Sequence, residues 1–243
     1  MAGAPNSRTE EGLRMTAECR AGRVIGIAIV IQMVLSVVVN FALEAPLFHA
    51  PGFLSNAGAH PRQIGLAALL GLVTEALPVG IAITAFPLLR RRTPALALWF
   101  FALAVVGLAV AAAESTSVMS MVSLSQAYAA ATAVEREQLQ TVRVVVASAR
   151  NWAHFMGRIL DGVTIFVLYV MLYRFALVPR AVAGFGLVAA GLMVSAVAMP
   201  FFGRHVVFPM LAPLGLAQLI LAVWLLTRGF SGEASTEGDR NRL

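Results

Sequence analysis

The chain has 243 residues, 59% of them hydrophobic and only 12% charged, and its mean hydropathy is +0.83. A water-soluble domain keeps about a quarter of its residues charged, so this chain cannot dress its surface for water and must face lipid. The net charge of +6 comes from arginines scattered between apolar runs, which excludes a nucleic-acid face and makes them markers of membrane orientation.

Met1 to Arg23 is polar and mixed in charge, and it predicts a tail. Its Cys19 is the single cysteine, which can form neither an internal disulfide nor a metal site alone. Val24 to Leu43 is a nearly unbroken run of Val, Ile, Leu and Ala, long enough at ~1.5 Å per residue to cross ~30 Å of hydrocarbon. It lacks an Ala-x-Ala cleavage pattern and is expected to stay uncleaved. Ala45 to Gln63 carries Pro46, Pro51, Gly52, Gly58 and Pro61, the punctuation of an irregular connection.

Ile64 to Leu89 is the second span, stopped by Arg90, Arg91 and Arg92, and Thr93-Pro94 opens the third, which runs to about Ser115. In Ala133 to Arg150 the residues Arg136, Arg143 and Arg150 recur every seven positions, opposite Leu139, Val142, Val146 and Ala149. Such an amphipathic segment either lies in the headgroup layer or packs on the outer loops. Trp152 to Tyr173 is the fourth span, with Trp152, Tyr169 and Tyr173 as interfacial anchors. Ala181 to Phe202 is the fifth and Val206 to Leu226 the sixth, before a polar tail.

The expected fold is therefore all-α: an integral membrane bundle of six transmembrane helices, with an additional amphipathic helix before the fourth span. The expected organisation is a polar cytoplasmic tail over 1–23, a membrane domain over 24–228 and a second cytoplasmic tail over 229–243. With both ends inside, twelve arginines fall on the cytoplasmic side against Arg62, Arg136, Arg143, Arg150 and Arg204 outside, which sets this topology in a cell membrane. No internal repeat points to an inverted-repeat transporter.

Several strings resemble a bacterial membrane family, the domain-of-unknown-function family numbered 4386. They are Phe86-Pro87-Leu88-Leu89-Arg90-Arg91, Ser123-Leu124-Ser125-Gln126, Leu172-Tyr173-Arg174 with Leu177-Val178-Pro179-Arg180, and Leu221-Ala222-Val223-Trp224-Leu225 with Gly229-Phe230. The resemblance implies a multi-span protein of the bacterial inner membrane and implies no activity. It also implies an Arg and Glu pair on the third helix and an acid on the last. This chain has Glu114 alone at the first place and Gln218 at the second.

Ionisable groups within spans cost ~2.5 to 3.5 kcal/mol each on insertion scales, so they persist when paired, wetted or used. Here they are Glu75, His154, Arg158 and Asp161, with Glu114 near a boundary. His154, Arg158 and Asp161 fall at i, i+4 and i+7, on one helical face that continues back through Arg150. Depth places Glu75 near mid-membrane and the others in the outer half, where Arg158 can neutralise Glu75 or Asp161. All five are candidate ligand-binding residues.

Pro78 predicts a kink that frees a carbonyl near Thr74, and Gly184, Gly186 and Gly191 predict close helix packing. His60, His154 and His205 with Glu114 could hold a metal, although no pair has the spacing of a known motif. Cofactor and metal stay unknown at this stage, and no catalytic residue is assigned.

Three functions fit. The favoured one is non-enzymatic: a small or amphiphilic ligand, a proton or an ion held in an outward-facing polar pocket between the second, third and fourth spans. A membrane-embedded metal-dependent or redox enzyme is the second. A scaffold, docking another copy or another membrane protein, is the third. The lipid bilayer is the one partner common to all, and none of the three involves nucleic acid.

Overall fold

A computed structural model describes residues 7–230, with side chains from residue 17 onward. Met1 to Asn6 and the polar tail from Ser231 lie outside the described residues. The elements are all helical: α1 (Ser7–Val37), continued by π-helical turns over Val38–Leu43; short α2 (Ala45–Phe48) and α3 (Phe53–Asn56); then α4 (Pro61–Leu89), α5 (Pro94–Ala130), α6 (Ala133–Arg174), α7 (Arg180–Ala198) and α8 (Ala212–Thr227). Six of these helices, α1 and α4 to α8, are long and apolar enough to cross a membrane. The chain is thus a multi-pass membrane protein.

The first helix begins at Ser7 rather than at Val24. The polar stretch expected to be a tail is helical from there on, because no proline follows Pro5 before the span and the helix continues straight into it. At the other end Phe230 is buried and packs with the main core, so the last described residues fold back instead of leaving the bundle.

Each of the six helices packs on its neighbour in chain order, and α8 returns to α1, so the bundle is a closed ring. Glycines permit the closest seams. A Cβ at Gly22 would lie 2.9 Å from Gly229 Cα, so α1 meets the end of α8 backbone to backbone. On α7, Gly186 leaves room for the ring of Tyr169 on α6, which a Cβ would overlap. Gly184 makes only an ordinary contact with Tyr173, and Gly191 faces open space, so of the three expected packing glycines only Gly186 is essential to the seam.

Lipid-facing side chains such as Val34, Leu69, Ile83, Leu98, Val188 and Leu216 remain exposed, the pattern that a hydrocarbon solvent requires. Tyr169, expected at the interface, is instead fully buried, its hydroxyl 3.3 Å from Gln218 Oε1. A ring this large fills the seam between α6 and α7, and Gln218 supplies its polar partner, so it needs no headgroup layer.

The two central helices outrun the membrane. At ~1.5 Å per residue α5 is about 55 Å long and α6 about 63 Å, against ~30 Å of hydrocarbon. Both have their arginine-rich ends at one face, Pro94 after Arg90 to Arg92 and Arg174 before Arg180, and Arg92 reaches the Phe175 carbonyl there. The excess length therefore projects at the opposite face as a two-helix arm.

The amphipathic segment expected before the fourth span is thus no separate element. It is the first half of α6, in line with the span, because no proline or glycine interrupts the chain between Ala133 and Met156. Thr132 and Glu135 close its start with a capping box. Leu139, Val146 and Ala147 pack against a second hydrophobic core made by Leu47, Phe53, Leu54, Ile64, Val118 and Met121, so of the two expectations the segment follows packing, here on the connection before α4.

Ser125 ties that arm to the α3 region. Its buried hydroxyl donates to the Leu54 carbonyl at 2.9 Å and accepts from the Gly58 amide at 2.7 Å. Ser125→Ala leaves both backbone groups without this partner and should cost about 1 to 3 kcal/mol. Reversible unfolding in mixed micelles would measure it, and a loss under ~0.5 kcal/mol would mean that the tie is not needed.

Candidate functional site

The site is built on one stripe of α6. Residues four or seven apart share a helical face, so Arg150, His154, Arg158 and Asp161 all look the same way. Three elements bring carboxylates to them: the end of the π-helical turns gives Glu44, α4 gives Glu75 and α5 gives Glu114.

The contacts form two groups. In the first, Arg150 Nη2 lies 2.7 Å from Glu44 Oε2 and 3.2 Å from Glu114 Oε1, and His154 Nδ1 lies 2.8 Å from the same Glu114 oxygen. In the second, Arg158 Nη2 lies 2.5 Å from Glu75 Oε1 and 3.2 Å from Asp161 Oδ2. A void of about 40 Å³, lined among others by Glu44, Glu75, Glu114, His154 and Arg158, separates the groups.

All five residues expected from the sequence, Glu75, Glu114, His154, Arg158 and Asp161, therefore belong to two neighbouring groups around one void. Glu44 and Arg150 complete the first group. Arg150 carries a signal, since it continues the same stripe, although the sevenfold arginine pattern also suits a headgroup-facing residue. It is 5% exposed instead, its guanidinium also stacked 4.9 Å from the Phe48 ring centre. Glu44 carried only its position at the end of a span.

The network is unbalanced. Four carboxylates share two guanidiniums and one imidazole, and each guanidinium already carries two carboxylates. Burial pushes the Glu44 carboxyl above the usual carboxylate range, against the opposing pull of Arg150. Arg150 Nε, Arg158 Nε and Asp161 Oδ2 make no hydrogen bond. The Asp161 oxygen is close enough to Arg158 to count as an ion pair, yet lacks hydrogen-bond geometry.

Behind this wall lies a larger space. A cavity of about 480 Å³ opens between α1, α6, α7 and α8, with the segment before α8 at its rim. Its polar side is Gln32, Ser36, His154, Arg158, Asp161 and Gln218, and its other walls are apolar, with Ile29, Met193, Val197 and Leu214. A recess of about 30 Å³ leads from it toward Glu75 and Pro78, so the proline of α4 does border an internal space. The larger cavity thus sits on the α1, α7 and α8 side of the charged stripe, while only the small void and the narrow recess reach toward the second and third spans.

The histidines do not converge. His60 Nδ1 is engaged with the Asn56 carbonyl at 3.0 Å, apart from His154, and among the described residues no three His, Cys, Asp or Glu side chains come together to hold a metal. The arrangement offers charge, hydrogen bonds and an apolar space of ligand size. Among these residues no nucleophile is paired with a base and an oxyanion donor.

Comparison with known proteins bears on the whole chain. A family model described as Domain of unknown function (DUF4386) matches residues 24–229. No curated protein and no solved structure matches.

Proposed function

The chain belongs to that family of domains of unknown function and has no activity to inherit from it, so we propose a function from the geometry: it is a non-enzymatic membrane protein that holds a small amphiphilic ligand in the α1, α6, α7 and α8 cavity. The observation that carries this reading is the two-sided lining. Ligand sites typically enclose ~300 to 1,000 Å³, mostly apolar with a few convergent polar groups, and this cavity has that size and that division. The polar stripe would fix one end of the ligand, and the apolar walls would receive the rest.

The arginine placement supports a topology in which both chain ends face the cytoplasm of a bacterial cell and the cavity lies in the outer half of the membrane. Residues 24–228 then form one membrane unit between two polar cytoplasmic tails.

Gly215 provides the test. It lines the cavity, and a Cβ placed there meets nothing within 4 Å, so Gly215→Phe fills the space without disturbing the backbone. Native mass spectrometry of wild-type protein should show a small-molecule adduct that survives removal of detergent, and the variant should lose it. Equal adducts in both proteins, or none in either, would sink the proposal.

A further inference from the structure

The charge of the polar wall narrows the ligand class. We infer that the cavity takes a cationic amphiphile, an amine or quaternary ammonium joined to an alkyl or aryl body, with its head beside Asp161; this rests on reading the cavity as a ligand site. The two basic side chains on the wall are Arg158 and His154, and both are already committed to carboxylates, Arg158 to Glu75 and Asp161 and His154 to Glu114. An anionic head would have to displace those carboxylates and approach a cluster in which four carboxylates share two guanidiniums and one imidazole. A cationic head meets the opposite field, strengthened by low-dielectric walls.

Three further features favour the cation. Asp161 is the carboxylate on the cavity lining, and its contact with Arg158 is an ion pair without hydrogen-bond geometry. Gln32 and Gln218 line both the cavity and the recess that joins Asp161 to Glu75; their amide oxygens accept from a protonated amine and present a partial negative charge to a quaternary head. Phe155 and Phe208 also line the cavity, and aromatic rings attract ammonium groups as well as apolar bodies. A neutral head would gain from the amides and the rings but not from the net negative field. The same head chemistry occurs on free amines and on choline or ethanolamine lipids, and the experiment separates them.

The test compares decyltrimethylammonium, decanol and decyl sulfate, three probes with one alkyl body and different heads, by equilibrium dialysis against wild-type protein in maltoside micelles, with empty micelles as blank. The cationic probe should bind at least about tenfold more tightly than the other two. Asp161→Asn should remove most of that preference, and the comparison on the wild-type protein stands even where that variant does not fold. Lysophosphatidylcholine is the lipid arm: competition assigns the head to a lipid, lack of it assigns a free amine, and both results agree with a cationic head. Equal binding of the three probes, or tighter binding of decyl sulfate, overturns the inference. The adduct lost on Gly215→Phe would then still stand for the cavity itself, so the two readings fail separately.

Discussion

Replacing Arg150 with alanine is expected to lower the stability of the protein by about 3 to 5 kcal/mol, the usual cost of breaking a buried ion pair from one side. The loss does not come from the attraction alone, because burying two carboxylates and a guanidinium costs about as much as their pairing returns. It comes from what stays behind: Glu44 and Glu114 would face each other across the vacated site, both largely buried, with His154 as the one remaining neighbour of opposite tendency. Glu44 is already disfavoured as an anion by its burial, so the variant should gain stability on acidification relative to wild type. Protonation removes the stranded charge that the wild type never has. A compensated variant, Arg150→Met with Glu44→Leu and Glu114→Gln, should recover most of the loss, since it removes the charges together. Reversible unfolding of purified protein in mixed micelles measures all of these. A single-variant loss below ~1 kcal/mol would place Arg150 in contact with water and would undo the description of the network as buried.

The second large effect concerns the seam between α6 and α7. Gly186→Val should destabilise the bundle by about 3 kcal/mol or prevent its assembly, because a side chain there collides with the fully buried ring of Tyr169. The ring is held in place and cannot easily give way. Tyr169→Ala by itself should cost about 3 to 5 kcal/mol through the cavity that it leaves. In the double variant the valine enters that cavity, so the two losses should fall well short of additive. Additive losses would mean that the two positions do not touch, contrary to their placement here.

The six spans were legible because lipid demands long apolar runs and tolerates few departures from them. The charged stripe on α6 was legible for the same reason: His154, Arg158 and Asp161 are out of place in a span unless something answers them. What answered was harder to see. Glu44 and Arg150 stand 106 positions apart, and a residue at the end of a span looks like an ordinary boundary charge until the fold brings its partner over. Arg150 was ambiguous, because it continues the charged stripe while a sevenfold arginine pattern also reads as headgroup-facing. The uninterrupted chain from Ala133 to Met156 was the counter-signal, showing that nothing would turn the helix flat. The closing of α8 on α1, and with it the cavity, depends on contacts between distant segments, and local periodicity cannot carry such information.

The two helices that outrun the lipid give the molecule a built-in handle. Their tips are joined at Ala131 and Thr132, with helical backbone on either side of the turn. A soluble two-helix protein spliced there could inherit the direction of both helices rather than dangle from a loop. For a 25.7 kDa chain otherwise wrapped in detergent or lipid, such a rigid extension would supply the asymmetric mass that aligns particles in electron microscopy.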